Sequence, residues 1–224
     1  MANGGLIMKW EYGKSYERFP MNDGRTWEST DGKIQLAVHD LRNGLHPIHN
    51  GADCVFVDPP WNLGNVNTFI TKADLKSYER DFEQFMKTLF SVIDKISPQV
   101  LYVEMGKQNL ALVKRMMEQR FKRVEVFNSY YYHAKKNVCF ILRGSNRDDI
   151  APNIDGIDEE DAIAEICRAE KFDKICDPCM GRGLVAYYAV KNGRKCSGTE
   201  LNHKRLSFAV ERIVKFGIEM NKIL

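Results

Sequence analysis

The sequence lacks several features that would assign a class of protein at once. Its 224 residues contain no apolar run long enough to span a membrane, and the net charge is only +3. A protein that coats nucleic acid without sequence preference usually carries a larger basic excess, so binding of nucleic acid would have to use a local patch. The first residues lack the basic-then-apolar pattern of a signal peptide, so we expect a cytoplasmic protein.

Potential metal ligands are present but are not grouped at metal-binding spacings. Cys176 and Cys179 form a single Cys-x-x-Cys pair, whereas a zinc site of this type needs a second pair or nearby histidines. The five histidines form no ligand cluster in the sequence. We therefore expect no metal, and we expect reduced, buried thiols at most of the cysteine positions.

The most informative stretch is an apolar run that ends in an acid, two prolines and a tryptophan. Cys54 to Val57 has the continuous apolar character of a buried strand in a parallel sheet. Asp58-Pro59-Pro60-Trp61 follows directly, and its prolines predict a stiff turn because each fixes its own φ angle. Ligands of open α/β sheets bind beyond the carboxyl ends of strands, so this turn is a candidate site.

The residues of this turn suit chemistry on the exocyclic amine of a nucleobase. Such a nitrogen is a poor nucleophile because its lone pair is delocalised into the ring. Asp58 and the carbonyl of Pro59 could each accept one N–H and so aim the lone pair at an electrophile. Trp61 could stack on a base that has left its helix. The alternative reading of the same residues is a rigid loop with Trp61 packed in the core.

A second turn has the composition of a site for a nucleotide-like ligand. Lys174 to Asp177 predicts a strand, 178–183 predicts a glycine-rich turn, and Leu184 to Lys191 predicts a helix. The next strand ends at Glu200, about 20 residues past the glycine turn, where an acid can accept hydrogen bonds from ribose hydroxyls. The turn lacks the Gly-Lys-Ser/Thr ending of a phosphate loop.

Together these motifs resemble those of the S-adenosylmethionine-dependent amino-methyltransferases, which methylate adenine N6 or cytosine N4. Asp58-Pro59-Pro60-Trp61 is similar to their catalytic motif, in the form more usual for adenine, since cytosine enzymes usually begin it with Ser. Asp177-Pro178-x-x-Gly181-x-Gly183 resembles their cofactor loop, and Glu200-x-Asn202 resembles their ribose-binding acid and its neighbour. The catalytic motif comes first, which is the circularly permuted order of the family's beta subgroup.

The resemblance implies an α/β fold with a single doubly wound, mostly parallel sheet and an antiparallel hairpin at one edge. The methyltransferase domain would span 33–224, after an N-terminal arm at 1–32. The resemblance implies S-adenosyl-L-methionine as cofactor, double-stranded DNA with a flipped base as partner, and methyl transfer to adenine N6. It assigns catalysis to Asp58, Pro59, Pro60 and Trp61. It assigns cofactor binding to Asp40, Asp177, Pro178, Cys179, Gly181, Gly183, Glu200 and Asn202.

The sequence departs from the family pattern at three places. Cys179 stands where the family usually has Phe, and Leu184 stands where Ser or Thr is common. The subgroup usually has a large target-recognition insert before the cofactor loop, whereas here only a short acidic linker, 144–161, occupies that place. Cytosine N4 or RNA as the substrate, or a non-catalytic cofactor-binding subunit, therefore stay open as alternatives. A homodimer or a partner subunit is also open.

Substrate selection would then depend on smaller elements. The polar segment 62–72, with Asn62 and Asn65, has the composition of a mobile loop and is a candidate substrate lid. Tyr131, Lys135 and Lys136 form an aromatic-basic cluster at a predicted hairpin tip, which either contacts nucleic acid or is simply exposed. The arm, rich in aromatic and basic residues, either clamps nucleic acid or forms an irregular cover on a sheet edge, as termini usually do.

Overall fold

The structure is a computed structural model that describes residues 14–21, 25–73, 75 and 81–223. Its strands are β1 (Thr26–Ser29), β2 (Ile34–Val38), β3 (Cys54–Val57), β4 (Val100–Met105), β5 (Arg123–Tyr130), β6 (Val138–Ser145), β7 (Ile157–Asp158), β8 (Lys174–Asp177), β9 (Lys195–Glu200) and β10 (Met220–Ile223). Its helices are α1 (Ser15–Arg18), α2 (Leu63–Lys72), α3 (Phe82–Ile96), α4 (Leu110–Glu118), α5 (Glu159–Ala169), α6 (Leu184–Lys191) and α7 (His203–Lys215).

The strands of the described ranges form one sheet in the order β10-β1-β2-β9-β8-β3-β4-β6-β5-β7. The five central strands from β2 to β4 are parallel to one another. The antiparallel pair β5–β6 extends the sheet beyond β4, and β1 and β10 extend the other edge in antiparallel register. Every residue of β3 and β4 is buried, as strands covered on both faces require.

Two hydrophobic cores lie on opposite faces of this sheet. Because side chains alternate along a strand, Phe56 and Tyr102 point into one core while Val57 and Val103 point into the other. Helices α5, α6 and α7 pack on the first core, and α2, α3 and α4 pack on the second. The expected doubly wound, mostly parallel α/β fold with an antiparallel hairpin is therefore confirmed. None of the helices in the described ranges combines the length and apolarity needed to cross a bilayer.

The chain leaves the neighbouring strands β3 and β8 in opposite directions. From β3 it runs through α2 and α3 to β4 on one side, and from β8 it runs through α6 to β9 on the other side. A crevice therefore forms beyond the carboxyl ends of β3 and β8, which is the usual place of a ligand in an open α/β sheet.

The segment predicted as a mobile loop, 62–72, is instead helical. The Asn62 side chain caps α2 by accepting a hydrogen bond from the backbone N–H of Asn65 at 3.0 Å. Val66 and Ile70, four residues apart, are the buried face of this helix. The prediction of a loop was wrong. It relied on the polar composition of the segment, whereas the helical spacing of its few apolar residues determines the structure.

Two further boundaries differ from expectation. Residues 1–13 and 22–24 of the arm lie outside the described residues, but Thr26–Ser29 of the arm forms β1 rather than an irregular cover. The rings of Phe19 and Trp27 meet edge to face at 5.5 Å and pack against the core. In the expected linker 144–161, β6 continues to Ser145 and β7 occupies Ile157–Asp158. Asp158 caps α5, which begins at Glu159, inside the expected linker.

Candidate active site

A cleft of about 380 Å³ lies beyond the carboxyl ends of four consecutive strands, β2, β9, β8 and β3. Each strand contributes the residues that directly follow it, because parallel strands end at the same edge of the sheet. Helices α2, α3 and α7 supply the rest of the wall. The lining comprises His39, Asp40, Leu41, Arg42, Asp58, Pro60, Val66, Phe69, Ile70, Asp81, Gln84, Phe85, Thr88, Pro178, Cys179, Gly181, Glu200, Leu201 and Arg205.

The turn after β3 displays Asp58 in this cleft. Pro59 and Pro60 are buried, whereas residue Asp58 is exposed, and its carboxylate accepts a hydrogen bond from the Trp61 indole N–H at 3.0 Å. Burial of the carboxyl group among the surrounding protein atoms raises the pKa of Asp58 to about 6. The hydrogen bond from the Trp61 indole N–H and the charge of Arg205 oppose that rise. Asp58 therefore titrates close to neutral pH while remaining accessible from the cleft.

Trp61 is held in a fixed position beside the cleft. A Cβ on Gly106 would lie 2.7 Å from the Trp61 ring, so only glycine lets the ring pack this closely on the end of β4. The Asn109 amide donates to the Trp61 carbonyl at 2.7 Å, and the Asn65 side chain accepts from the Trp61 N–H at 3.2 Å. Tyr131 meets the indole edge to face at 5.5 Å. Trp61 and Tyr131 thus form an aromatic pair next to Asp58.

The glycine turn after β8 approaches the turn after β3 from the other side of the crevice. The buried carboxylate of Asp177 accepts the Cys179 N–H at 3.0 Å, and burial raises the pKa of Asp177 well above its usual range. Gly183 has φ +75°, and an added Cβ would lie 2.7 Å from Cβ of Ala209 on α7. Gly183 therefore needs to be glycine both for its conformation and for helix packing.

The acid at the end of β9 joins this loop to the next helix. Glu200 accepts the Gly181 N–H at 2.8 Å and the Asn202 N–H at 2.9 Å, and burial raises its pKa. The Asn202 side chain caps α7 and donates to the Lys72 carbonyl at 2.8 Å, so it ties α7 to the end of α2. Asp40, two residues beyond the end of β2, accepts from the Arg42 guanidinium at 2.9 Å.

A buried histidine, which the sequence did not single out, supports the glycine turn from below. The His49 ring bridges the hydroxyls of Ser197 and Thr199 at 3.0 and 3.1 Å. The Thr199 hydroxyl in turn donates to the Pro178 carbonyl at 3.2 Å. Burial lowers the pKa of His49 to about 3, so the ring stays neutral and its contacts persist at physiological pH. The network stabilises the loop conformation.

The structure brings most of the predicted site residues to one edge of the sheet. Asp40, Asp58, Pro60, Pro178, Cys179, Gly181 and Glu200 all line the cleft. Asn62 and Asn65 act locally, as the cap of α2 and as an acceptor for Trp61. Lys135 and Lys136 are exposed in the turn between β5 and β6, on the same hairpin as Tyr131.

Sequence reasoning missed the contribution of the helices to the cleft. The Arg205 guanidinium of α7 lies over the Phe69 ring of α2, 4.6 Å from its centroid. The apolar spacing of Val66 and Ile70 could have identified α2, but nothing in the sequence pairs Arg205 with it. It also missed Glu104, a buried acid on β4 beside Asp58, although a single charge within the apolar run 100–105 is a visible signal.

The strand order and the position of the cleft define the class of fold. It is an open, Rossmann-like α/β sheet with a ligand cleft at its topological switch point. The crystal structure of M1.HpyAVI is similar with a TM-score of 0.54 and 13% identity, over 81% of this chain and 99% of that one. TTHA0409 of Thermus thermophilus, described as a DNA modification methylase, gives a TM-score of 0.59 and 15% identity, over 82% of this chain and 94% of that one. The structure of its complex with S-adenosyl-L-methionine gives a TM-score of 0.56 and 15% identity, over 82% of this chain and 93% of that one.

At these identities the likeness shows the fold, and it agrees with the Rossmann-like architecture expected from the sequence. No family model matches this sequence, and a search of curated proteins gave no match either. The residues of the cleft itself therefore define the chemistry that this chain can perform.

Proposed function

We propose that this chain transfers a methyl group from S-adenosyl-L-methionine to the exocyclic N6 amine of adenine in DNA. The observation that carries the proposal is that Asp58 and the glycine turn at 178–183 share one cleft at the switch point of the sheet. They are about 120 residues apart in the chain, so a fold that separated them would have removed the basis of the proposal. The fold similarity to a protein crystallised with S-adenosyl-L-methionine supports the same conclusion.

The residues of the cleft fit this cofactor. Glu200 presents a carboxylate at the end of β9, where it can accept hydrogen bonds from ribose hydroxyls. Gly181 exposes backbone without a side chain, and nothing lies within 4 Å of the place where its Cβ would be. Leu41, Phe69 and Ile70 offer apolar surface for an adenine ring. We assign cofactor binding to this wall, together with Asp40, Asp177, Pro178, Cys179 and Gly183.

Asp58 and its neighbours would orient the amine. The carboxylate of Asp58 and the carbonyl of Pro59 accept one N–H each, which directs the nitrogen lone pair towards the cleft. Asp58 then holds the proton that the nitrogen loses as its new N–C bond forms. S-adenosyl-L-methionine supplies an electrophilic methyl group on a sulfonium. Trp61 and Tyr131 provide aromatic surface beside Asp58 for a base that has left the duplex.

The hairpin between β5 and β6 is the proposed contact with the DNA backbone. Lys135 and Lys136 are exposed at its turn, and Tyr131 on the same hairpin touches Trp61. Phosphate contacts near the lysines would therefore place a flipped base close to the aromatic pair. We assign the methyltransferase domain to 33–224, in the permuted order of the beta subgroup, with β1 from the arm added to its sheet.

The test is transfer of a radiolabelled methyl group from S-adenosyl-L-methionine to DNA by the wild type and by Asp58→Asn. We expect the variant to lose about 100-fold or more of the rate, because the neutral amide is a weaker acceptor than a carboxylate and cannot take up the proton that the amine loses. Cofactor affinity, measured by calorimetry, should change little, which separates a failure of chemistry from a failure of binding. Equal transfer by wild type and variant would contradict the role of Asp58.

The same reaction discriminates the alternatives. Nuclease digestion and mass analysis of the product should find N6-methyladenine in DNA. A product of N4-methylcytosine would identify cytosine as the substrate base. Methylation of RNA alone would identify RNA as the substrate. Tight binding of the cofactor without turnover, relieved by a second chain, would identify a non-catalytic subunit.

A further inference from the structure

An exposed tyrosine occupies a strained turn at the tip of the hairpin between β5 and β6. Tyr132 is 78% exposed, although it is a large aromatic residue. Its φ is +58° and that of His133 is +51°. The two residues are the centre of a four-residue turn in which the Ala134 N–H donates to the Tyr131 carbonyl at 3.4 Å. Turns with positive φ at both central residues usually carry Asn or Gly there, so a tyrosine at this place is unfavourable for the backbone and indicates a function.

The surrounding structure holds the turn in this conformation. The His133 N–H donates to the buried carboxylate of Asp158 at 2.7 Å, and the other oxygen of Asp158 caps α5. At the base of the turn, the Tyr131 N–H donates to the Asn137 carbonyl at 3.0 Å. The Asn137 side chain donates in return to the Tyr131 carbonyl at 3.1 Å. Tyr132 is therefore displayed from a fixed backbone, so little conformational freedom is lost when its ring meets a partner.

Tyr132 is the outermost ring of an aromatic row that begins beside Asp58. The Trp61 indole N–H donates to Asp58 at 3.0 Å. The rings of Trp61 and Tyr131 meet edge to face at 5.5 Å, and those of Tyr131 and Tyr132 meet edge to face at 4.9 Å. Trp61 and Tyr131 are half-buried, whereas Tyr132 is exposed, so the row leads from the candidate site out to solvent.

The residues around Tyr132 favour DNA as its partner. Lys135 and Lys136 are exposed in the same turn region, and the sequence 131–137 contains no acid. Lysines suit the phosphates of a nucleic acid, and an aromatic ring can stack on any base because every base has a π-face. The tip therefore offers both kinds of contact that a DNA duplex can make beside an extruded base.

We propose that Tyr132 enters the duplex as the target base leaves it and stacks in the gap that remains. A base that leaves a duplex loses its stacking on both neighbours, and an inserted side chain restores part of that contact. Trp61 and Tyr131 receive the base on one side of Tyr132, and the lysines hold phosphates on the other. The inference rests on the proposed function, because it assigns Tyr132 to the duplex from which that reaction takes its base.

Three variants separate the ring from the fold. Tyr132→Asn removes the ring, and asparagine adopts a positive φ more readily than tyrosine does. Its melting temperature should therefore stay within about 2 °C of the wild type. Tyr132→Phe keeps the ring. Ile150→Asn is the matched control, because Ile150 is an apolar residue that is 93% exposed and follows the end of β6 that pairs with the start of β4, away from the candidate site.

Insertion of a ring unwinds DNA, and the unwinding can be measured without turnover and without knowledge of the target sequence. Plasmid DNA that a topoisomerase relaxes in the presence of the protein keeps a changed linking number after the protein is removed. We expect such a change with the wild type, Tyr132→Phe and Ile150→Asn. Tyr132→Asn should lose most of it.

Methyl transfer to a DNA sequence that the wild type modifies supplies the second measurement. Tyr132→Asn should methylate a paired target adenine about 10-fold or more slowly than the wild type. On the same duplex with the target adenine mismatched, the loss should shrink to about 3-fold or less, because a mismatched base is easier to extrude. Tyr132→Phe should stay within about 2-fold of the wild type on both duplexes. A purely structural role of Tyr132 would slow transfer to both duplexes equally.

Failure of this inference is distinct from failure of the proposed function. Equal linking numbers for the wild type and Tyr132→Asn, or equal slowing on the paired and mismatched duplexes, would overturn the insertion of Tyr132. A dimer that light scattering detects in the wild type and not in Tyr132→Asn would also overturn it, since the ring would then contact a second copy of the chain. Unwinding that depends on Tyr132 in a protein that transfers no methyl group would overturn the proposed function alone.

Discussion

The two ends of the parallel strands treat acidic side chains in opposite ways. At the amino ends, acids are paired with arginines: Asp53 with Arg147 at 2.8 Å, and Glu170 with the fully buried Arg143 at 2.8 Å. At the carboxyl ends of β3, β4 and β8, acids crowd one another. The charge of Asp58 adds to burial in raising the pKa values of both Glu104 and Asp177.

This difference separates the framework from the site. Although burial opposes it, the hydrogen bond from Arg143 lowers the pKa of Asp149, so the amino ends favour ionised, paired acids. The carboxyl ends keep acids close to one another at a cost to stability, a pattern that is common at functional sites. Changes at the amino ends should therefore alter folding, and changes at the carboxyl ends should alter ligand binding and titration.

The largest expected effect is at the amino ends, where Glu170→Ala should destabilise the fold. Glu170 accepts from Arg143 and from the Tyr102 hydroxyl at 2.6 Å, so its loss leaves a buried guanidinium with less compensation. We expect a loss of about 3–5 kcal/mol in the free energy of unfolding, measured with urea.

Glu165→Ala is the matched control for this variant, because it removes an acid from α5, the helix that Glu170 directly follows, and Glu165 pairs there with the exposed Arg168. It should cost less than about 1 kcal/mol. If Glu170→Ala lowered the free energy of unfolding no more than Glu165→Ala does, the paired acids at the amino ends would not be what stabilises the fold.

Two glycines of the turn after β8 sharpen the comparison within the carboxyl ends. Gly183→Ala places a Cβ 2.7 Å from Ala209 at φ +75°, so we expect a loss of about 2 kcal/mol or more in unfolding free energy. Gly181→Ala meets the same unfavourable backbone region at φ +56° but has open space around its Cβ. It should cost about 1 kcal/mol, and it should weaken binding of S-adenosyl-L-methionine more than Gly183→Ala does. If calorimetry showed that Gly183→Ala weakens binding more than Gly181→Ala, the ligand would lie elsewhere. If urea unfolding showed that Gly181→Ala costs more stability, the close packing of Gly183 on α7 would not be limiting.

Local sequence signals predicted the elements that carry their own signature. Cys54–Val57 was recognisable because a strand buried on both faces is a continuous apolar run, and α6 was predicted with the bounds that the structure has. The two turns were recognisable because proline and glycine restrict or free the backbone locally.

Elements defined by distant partners were not predictable in this way. The pairing of Thr26 with Ile223 joins segments nearly 200 residues apart, and no local pattern encodes that register. Helix α2 was missed because Asn-rich composition outweighed the spacing of two buried residues. The position of Arg205 over Phe69 depends on the packing of α7 against α2, which the sequence of neither helix specifies.

The carboxyl ends should also show a pH dependence of stability that comes from a buried acid. Burial keeps Glu104 protonated in the folded protein, whereas in the unfolded chain it ionises near its ordinary pKa of 4.5. The folded state then binds more protons, so this residue makes stability fall as pH rises above that value, by at most about 1.4 kcal/mol per pH unit. Glu104→Gln removes that dependence. Its melting temperature relative to the wild type should therefore rise from pH 5 to pH 8, by roughly 2–4 °C for each kcal/mol. Exposed Asp161→Asn should show no comparable rise. If the difference in melting temperature between Glu104→Gln and the wild type stayed constant across this range, Glu104 would be ionised in the folded protein. The carboxyl ends would then not differ from the amino ends in keeping a buried acid protonated.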